Sequence, residues 1–321
     1  MPACGSMNPM SRELLNGPNG AAMTRVGAVW PGTELEARER KGASRRRLLD
    51  LSVAVVEDAQ SPPTPDGSGP QGVSTEFQVA LPCRGLLVWH VGRDAVVGDA
   101  NQVLFVTDGE PYRISDPVAT GYAELIVTPE PSVLAEVAGV APDALAAHPL
   151  FRRRSRRADP RLQVLRARVL SWANGAPVED PLAAEELVIA LLRSALDGDT
   201  PRGVPAASTC RLIRRAKEVL EAQLAARIRL ADVACTVGAS PAYLTHVFRR
   251  VEGVALHQYV TQLRLARALA ELPHTDDLTT LALDVGFSSH SHFSAVFRRA
   301  FGMTPSQFRG TSRKRLPGSL R

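Results

Sequence analysis

Four cysteines are scattered through the 321 residues, at Cys4, Cys83, Cys210 and Cys235, and no two of them have C-x-x-C spacing. That pattern excludes a disulfide framework and a cysteine zinc site. A redox-sensing role for Cys83 would require an exposed thiol of low pKa, whereas Cys235 reads as a small core residue. No apolar run approaches the roughly 18 residues that span a bilayer, and no signal-peptide core is present, which points to a cytoplasmic protein with no membrane partner. Lysine is nearly absent, at Lys41, Lys217 and Lys314 only, so the basic character is carried by arginine. No Ser/His/Asp or Cys/His constellation and no phosphate-binding glycine loop is recognisable, so the chain is read as a non-enzyme without cofactors or a metal site.

What is present is one unit written twice. LADVACTVGASPAYLTHVFRRVEG, residues 230–253, is followed by LTTLALDVGFSSHSHFSAVFRRAFG, residues 278–302. Leu230, Ala234 and Gly238 correspond to Leu278, Ala282 and Gly286. Phe248, Arg249, Arg250 and Gly253 correspond to Phe297, Arg298, Arg299 and Gly302, one residue further on, because the second unit has an extra residue after its turn glycine. Each unit reads as a helix-turn-helix. The alanines let two helices cross closely, and the glycines suit a turn at positive φ. Ser240 is a good N-cap before Pro241, and either Ser288 or Ser289 caps the second reading helix. Leu244, Val247, Phe248 and Val251 fall at i, i+3, i+4 and i+7, a buried stripe that Phe293, Val296, Phe297 and Ala300 repeat. The opposite faces carry Ala242, Thr245 and His246, and His290, Ser291, His292 and Ala295. These are methyl and polar side chains suited to base edges, with Arg249, Arg250, Arg298 and Arg299 beyond them suited to phosphates.

Residues 210–310 resemble the DNA-binding domain of the AraC/XylS family of bacterial transcription regulators. The resemblance rests on both units, the connecting GVALHQYVTQLRLARALAEL (residues 253–272) and the closing GMTPSQFRG (residues 302–310). It implies two small helical subdomains joined by a linking helix, with one reading helix in each of two successive major grooves of promoter DNA. Leu256 stands where the family commonly has proline, and the reading positions are small or histidine-containing, so no base preference carries over. Charge agrees with a phosphate-facing part. From Cys210 onward 17 basic side chains oppose 8 acidic ones, against 21 and 25 in the remainder.

Ahead of this domain, residues 1–72 show little apolar periodicity and end in SPPTPDGSGPQG (residues 61–72), which reads as a disordered extension and linker. Met7, Met10 and Met23 are alternative starts. Residues 86–91, 102–107 and 122–128 are strand-like, and Asp108-Gly109 is a hairpin-type turn. Short strands with polar turns indicate a small antiparallel barrel or jelly roll. Together with DGEPYRISDP (residues 108–117), they make residues 73–150 similar to the cupin-like sensor domains of the same family. His90 is the one histidine of residues 77–128, without the clustered ligands of a metal-binding cupin. Residues 151–200 form a helical pair. Leu162, Leu165, Val169 and Trp172 make a heptad seam, and Leu187, Val188, Leu191, Leu192 and Ala195 a broad stripe. The pair either covers the barrel or serves a homodimer, the reading favoured here. The arginines between 152 and 157 read as a solvated loop, residues 198–208 as a second linker and residues 311–321 as a basic tail.

The expectation is therefore an α+β chain, with a cupin-like antiparallel β-barrel and helical pair ahead of an all-α double helix-turn-helix. Its expected partners are double-stranded promoter DNA, an unknown small-molecule effector and, for an activator, RNA polymerase. The alternative is a cupin-type metalloenzyme with an appended DNA-binding domain.

Overall fold

A computed structural model describes residues 44–64, 66–92, 94–173, 180–197 and 207–313. Residues 1–43, most of the second linker and residues 314–321 lie outside the described residues. The first part of the chain supplies β1 (Ser44–Asp50), β2 (Ala54–Ser61), β3 (Ser68–Val73), β4 (Gln78–Arg84), β5 (Leu87–Val91), β6 (Asp94–Gly98), β7 (Gln102–Val106), β8 (Pro111–Ser115) and β9 (Tyr122–Pro129). With β10 (Ser155–Arg157) they pair antiparallel in two sheets, ordered β1-β2-β9-β4-β7-β10 and β3-β8-β5-β6.

Alternation along the strands creates two apolar layers. On β9, Tyr122 and Ile126 face Trp89, Val91 and Ile114 of the smaller sheet. Leu125 and Val127 point the other way, onto α1 (Pro131–Ala138), α2 (Pro149–Arg153), α3 (Pro160–Ala173) and α4 (Pro181–Leu196). The result is sheet on sheet on helices.

Several expectations change here. Residues 44–72 are not a disordered extension, because β1 pairs with β2, β2 with β9, and β3 with β8. The glycine-rich run looked like a linker, yet it is an edge strand that needs its glycines. A Cβ on Gly69 would stand 2.9 Å from the Ile114 carbonyl oxygen. Asp108-Gly109 turns the chain, but β7 and β8, the strands it joins, lie in different sheets. Within the arginine run Arg152 is exposed, but Arg154 and Arg156 are structural rather than solvated. Arg154 bridges Asp94 and Glu110, and the buried Arg156 donates to the Ser194 and Ala195 carbonyls at the end of α4. Apart from Trp172, whose side chain lies outside the described residues, the stripes of α3 and α4 pack inside this chain. Leu162 and Val169 of α3, with Leu187, Val188, Leu191 and Leu192 of α4, share one core with Val56, Leu81 and Phe105 of the sheet. The helix pair therefore covers the six-stranded sheet instead of offering this seam to a second copy.

The remaining helices are α5 (Ala207–Ala222), α6 (Leu230–Val237), α7 (Pro241–Glu252), α8 (Leu256–Glu271), α9 (Leu278–Asp284), α10 (His290–Phe301) and α11 (Pro305–Arg313). They form two small cores. Ile213, Leu220, Val233, Ala234, Leu244, Phe248 and Tyr259 fill the first. Leu269, Leu281, Ala282, Phe287, Phe293, Phe297 and Phe308 fill the second. Helix α8 contributes to both, with Tyr259 and Leu263 in one and Leu265 and Leu269 in the other, and so links the two subdomains.

Candidate nucleic-acid interface

Helices α6 and α7 form the first helix-turn-helix, and α9 and α10 the second. Gly238, at φ +70°, ends α6. Ser240 then caps α7 by accepting from the Tyr243 N–H at 3.2 Å, ahead of Pro241. In the second unit Ser289 is the cap, accepting from the His292 N–H at 3.1 Å. Phe287 corresponds to Ala239, each donating its N–H to the carbonyl of the matching alanine (Ala282 and Ala234) at 2.9 Å, and it packs into the second core 5.2 Å from the Phe293 ring, so the extra residue of this unit is Ser288, ahead of the cap.

Burying Leu244, Val247 and Phe248 turns the other side of α7 outward. Ala242, His246, Arg249 and Arg250 are exposed and Thr245 is half-buried. On α10, burial of Phe293 and Phe297 leaves Ser291, His292, Ala295, Arg298 and Arg299 exposed and His290 half-buried. The Thr245 hydroxyl lies 3.0 Å from the Pro241 carbonyl and 2.9 Å from that of Ala242. The His292 ring is held 3.2 Å from the Ser288 hydroxyl and edge-on to Phe287. His290 sits 3.3 Å from the Ser294 hydroxyl.

Both reading helices border one cleft of about 1160 Å³. Thr245, His246 and Arg249 of α7, His257, Thr261 and Arg264 of α8, Ser288 and His292 all line it. The repeat spacing did not bring forward Arg227 and His257, which are exposed on this cleft. It also passed over Tyr243, which is 54% exposed on α7. Arg227 and His257 fall outside the repeated segments, so only the folded arrangement places them.

Other candidates lie elsewhere. Cys83 is buried, and burial pushes its thiol up, away from the reactive range. Cys235 is exposed rather than core, because α6 turns Val233, Ala234 and Val237 inward. His90 lies 2.8 Å from the Ser115 hydroxyl. Among the described residues no three His, Cys, Asp or Glu side chains gather as a metal-ligand set, and no helix is long and apolar enough to cross a membrane.

The sheets and the first subdomain meet through a buried polar cluster. Lys217 of α5 lies 3.5 Å from Asp99 and 2.9 Å from Glu252. The Tyr259 hydroxyl donates to Asp99, Asn101 donates to the Tyr259 carbonyl at 3.1 Å, and Gln102 donates to Glu252 at 3.0 Å. Burial pulls the Lys217 ammonium pKa down, but Asp99 and Glu252 outweigh it and hold it above the ordinary lysine value. Lys217 is thus taken out of the basic surface that composition assigns to this part.

A helix-turn-helix domain model matches residues 233–311. Regulatory protein SoxS of Salmonella typhimurium is 42% identical over 78 residues, which are 24% of this chain and 73% of that protein. Regulatory protein PocR of the same organism is 33% identical over 98 residues, 30% of this chain and 32% of that protein. A transcriptional regulator with an AraC-type DNA-binding domain, from Chromobacterium violaceum, is 31% identical with a TM-score of 0.32, covering 35% of this chain and 100% of the other. The chain spans about a third of the length of the first curated relatives it matches. On its paired helix-turn-helix units and its likeness to SoxS, the chain belongs to the AraC/XylS family of helix-turn-helix regulators.

Proposed function

We propose that this protein is a sequence-specific transcription regulator that lays α7 and α10 into two successive major grooves of promoter DNA. The observation that carries the reading is the shared cleft, onto which α7 turns Thr245, His246 and Arg249 and α10 turns His292, while Phe248, Phe293 and Phe297 are buried. In this reading Ala242, Thr245, His246, His290, Ser291, His292 and Ala295 meet base edges, where short polar groups and methyls discriminate bases. Arg249, Arg250, Arg298 and Arg299 meet phosphates and set register rather than sequence. Selection of bound duplexes from a random library tests it. Two recurring boxes about one helical turn apart are expected, and selected duplexes no richer in any sequence than the input would overturn it.

The sheets and helices of residues 44–197 serve, in the same reading, as the regulatory part, taking a small-molecule effector. Support comes from their docking onto α5 and α8 through the Asp99 cluster. An effector acts only by favouring one domain arrangement over another, and this contact is where such a preference can be expressed.

A further inference from the structure

The two turn glycines look equivalent in sequence but differ in space. Gly238 has φ +70°, and a Cβ added there would meet nothing within 4 Å. Gly286 has φ +95°, and a Cβ there would stand 2.5 Å from the Leu224 carbonyl oxygen and 2.7 Å from Arg264 Nε. Glycine at 238 answers a backbone conformation alone. At 286 it also permits contact between the second helix-turn-helix and the first subdomain.

The atoms it approaches are themselves joined. Arg264, on the linking helix α8, donates from Nε to the Leu224 carbonyl at 2.9 Å and from a terminal nitrogen to the Ala226 carbonyl at 2.8 Å. Those carbonyls belong to the turn between α5 and α6. The guanidinium is half-buried, and burial lowers its pKa. A planar fork holding two carbonyls defines an orientation that a single-point ammonium does not. Three pieces therefore converge at one place: the turn after α5, the middle of α8 and the bend before α10.

Resting on the DNA-reading function above, we infer that Arg264 and Gly286 form a joint that sets the separation and angle of the two reading helices, and hence the spacing between the two DNA boxes. Both residues are positioning residues. They line the cleft that α7 and α10 border, and their role is to hold α7 and α10 at the pitch of the duplex.

The test uses the full chain and the duplexes it selects from a random library, remade with the two boxes moved apart or together by one and two base pairs, and with one box scrambled. The wild type is expected to show a sharp spacing optimum. Gly286→Ala and Arg264→Ala should lose ten-fold or more in affinity at that optimum and show a flattened or displaced profile. Their binding to the single-box duplex should stay within about three-fold of wild type, and Gly238→Ala should keep the wild-type optimum. Arg264→Lys separates the joint from a phosphate contact. It should behave like Arg264→Ala if the fork matters, and like wild type if only the charge does. Wild-type spacing profiles in Gly286→Ala and Arg264→Ala would overturn the joint, as would equal losses on one-box and two-box duplexes. A wild type that selects no sequence would overturn the DNA reading itself, a distinguishable failure.

Discussion

At the scale of single residues, the proposed function separates the exposed faces of α7 and α10 into groups that choose and groups that hold. His246 is exposed near the middle of α7, and His290 opens α10. Replacing either with Ala should relax preference at one or two base pairs, at a cost of about 1–3 kcal/mol on the preferred site. Binding profiles from random-duplex selection check this, and two unchanged profiles would show the faces to be wrongly assigned. Arg298→Ala should instead weaken binding to all sequences alike and make the logarithmic salt dependence shallower by about one unit. An altered base preference at constant salt slope would contradict it. The outward placement of these side chains was legible in the sequence because they occupy the complement of an apolar stripe that occurs twice. Arg264 and the difference between Gly238 and Gly286 were not, since neither follows from the repeat. Both depend on which carbonyl the fold brings alongside.

At the scale of elements, helical periodicity was the stronger signal. Leu244, Val247 and Phe248, with Phe293 and Phe297, are buried where the 3-4 spacing puts them. Phe297 touches the rings of Phe293, Phe301 and Phe308. Phe297→Ala should therefore cost about 3–5 kcal/mol of stability and reduce DNA binding indirectly; a variant that melts like wild type yet fails to bind would place the ring at the interface instead. Strands were less legible. β1 is arginine-rich and β3 glycine-rich, and both are edge strands; β1 pairs with its neighbour β2, whereas the partner of β3, β8, lies far along the chain. On β9 the alternation that turns Tyr122 and Ile126 between the sheets also turns Glu124 there. Burial pushes the Glu124 carboxyl up to about 7, with Arg45 offsetting only part of the rise and the Tyr122 phenol also nearby. A raised acid pKa favours the protonated folded state. Its stability contribution is full below the unfolded value near 4.5 and is lost as pH rises through about 7. Glu124→Gln should match wild type near pH 4.5 and exceed it at pH 8 by up to about 3 kcal/mol, a tenfold change in proton affinity being worth about 1.4 kcal/mol. Glu221, also raised to about 7, keeps some pH dependence in both proteins. Urea unfolding across this range decides the point, and parallel curves for the two proteins would rule it out.

At the scale of the whole molecule, the sheets and the first helix-turn-helix subdomain meet through charges placed where solvent does not reach. Lys217 is 3% exposed and Asp99 1%. Lysine and aspartate are rarely so buried unless paired, and here Lys217 is shared between Asp99, just beyond β6, and Glu252, at the end of the first reading helix. Composition counted Lys217 with the phosphate-facing charge, because sequence alone does not show that a loop near residue 99 returns to α5. A buried ion pair is weak evidence for stability, since desolvation offsets much of the attraction, but removing one partner strands the other. Lys217→Met leaves Asp99 and Glu252 without their cation and should cost about 3–5 kcal/mol. Because the loss falls on the contact between the two parts, calorimetry should show one unfolding transition in the wild type and two in the variant. A cycle with Asp99→Asn should give a coupling above about 1.5 kcal/mol, larger than the roughly 1 kcal/mol or less typical of exposed pairs. If Lys217→Met unfolds in one transition at the wild-type midpoint, the cluster does not couple the sheets to the reading helices, and an effector would have to act through the packing of α3 on α8 and α10 instead.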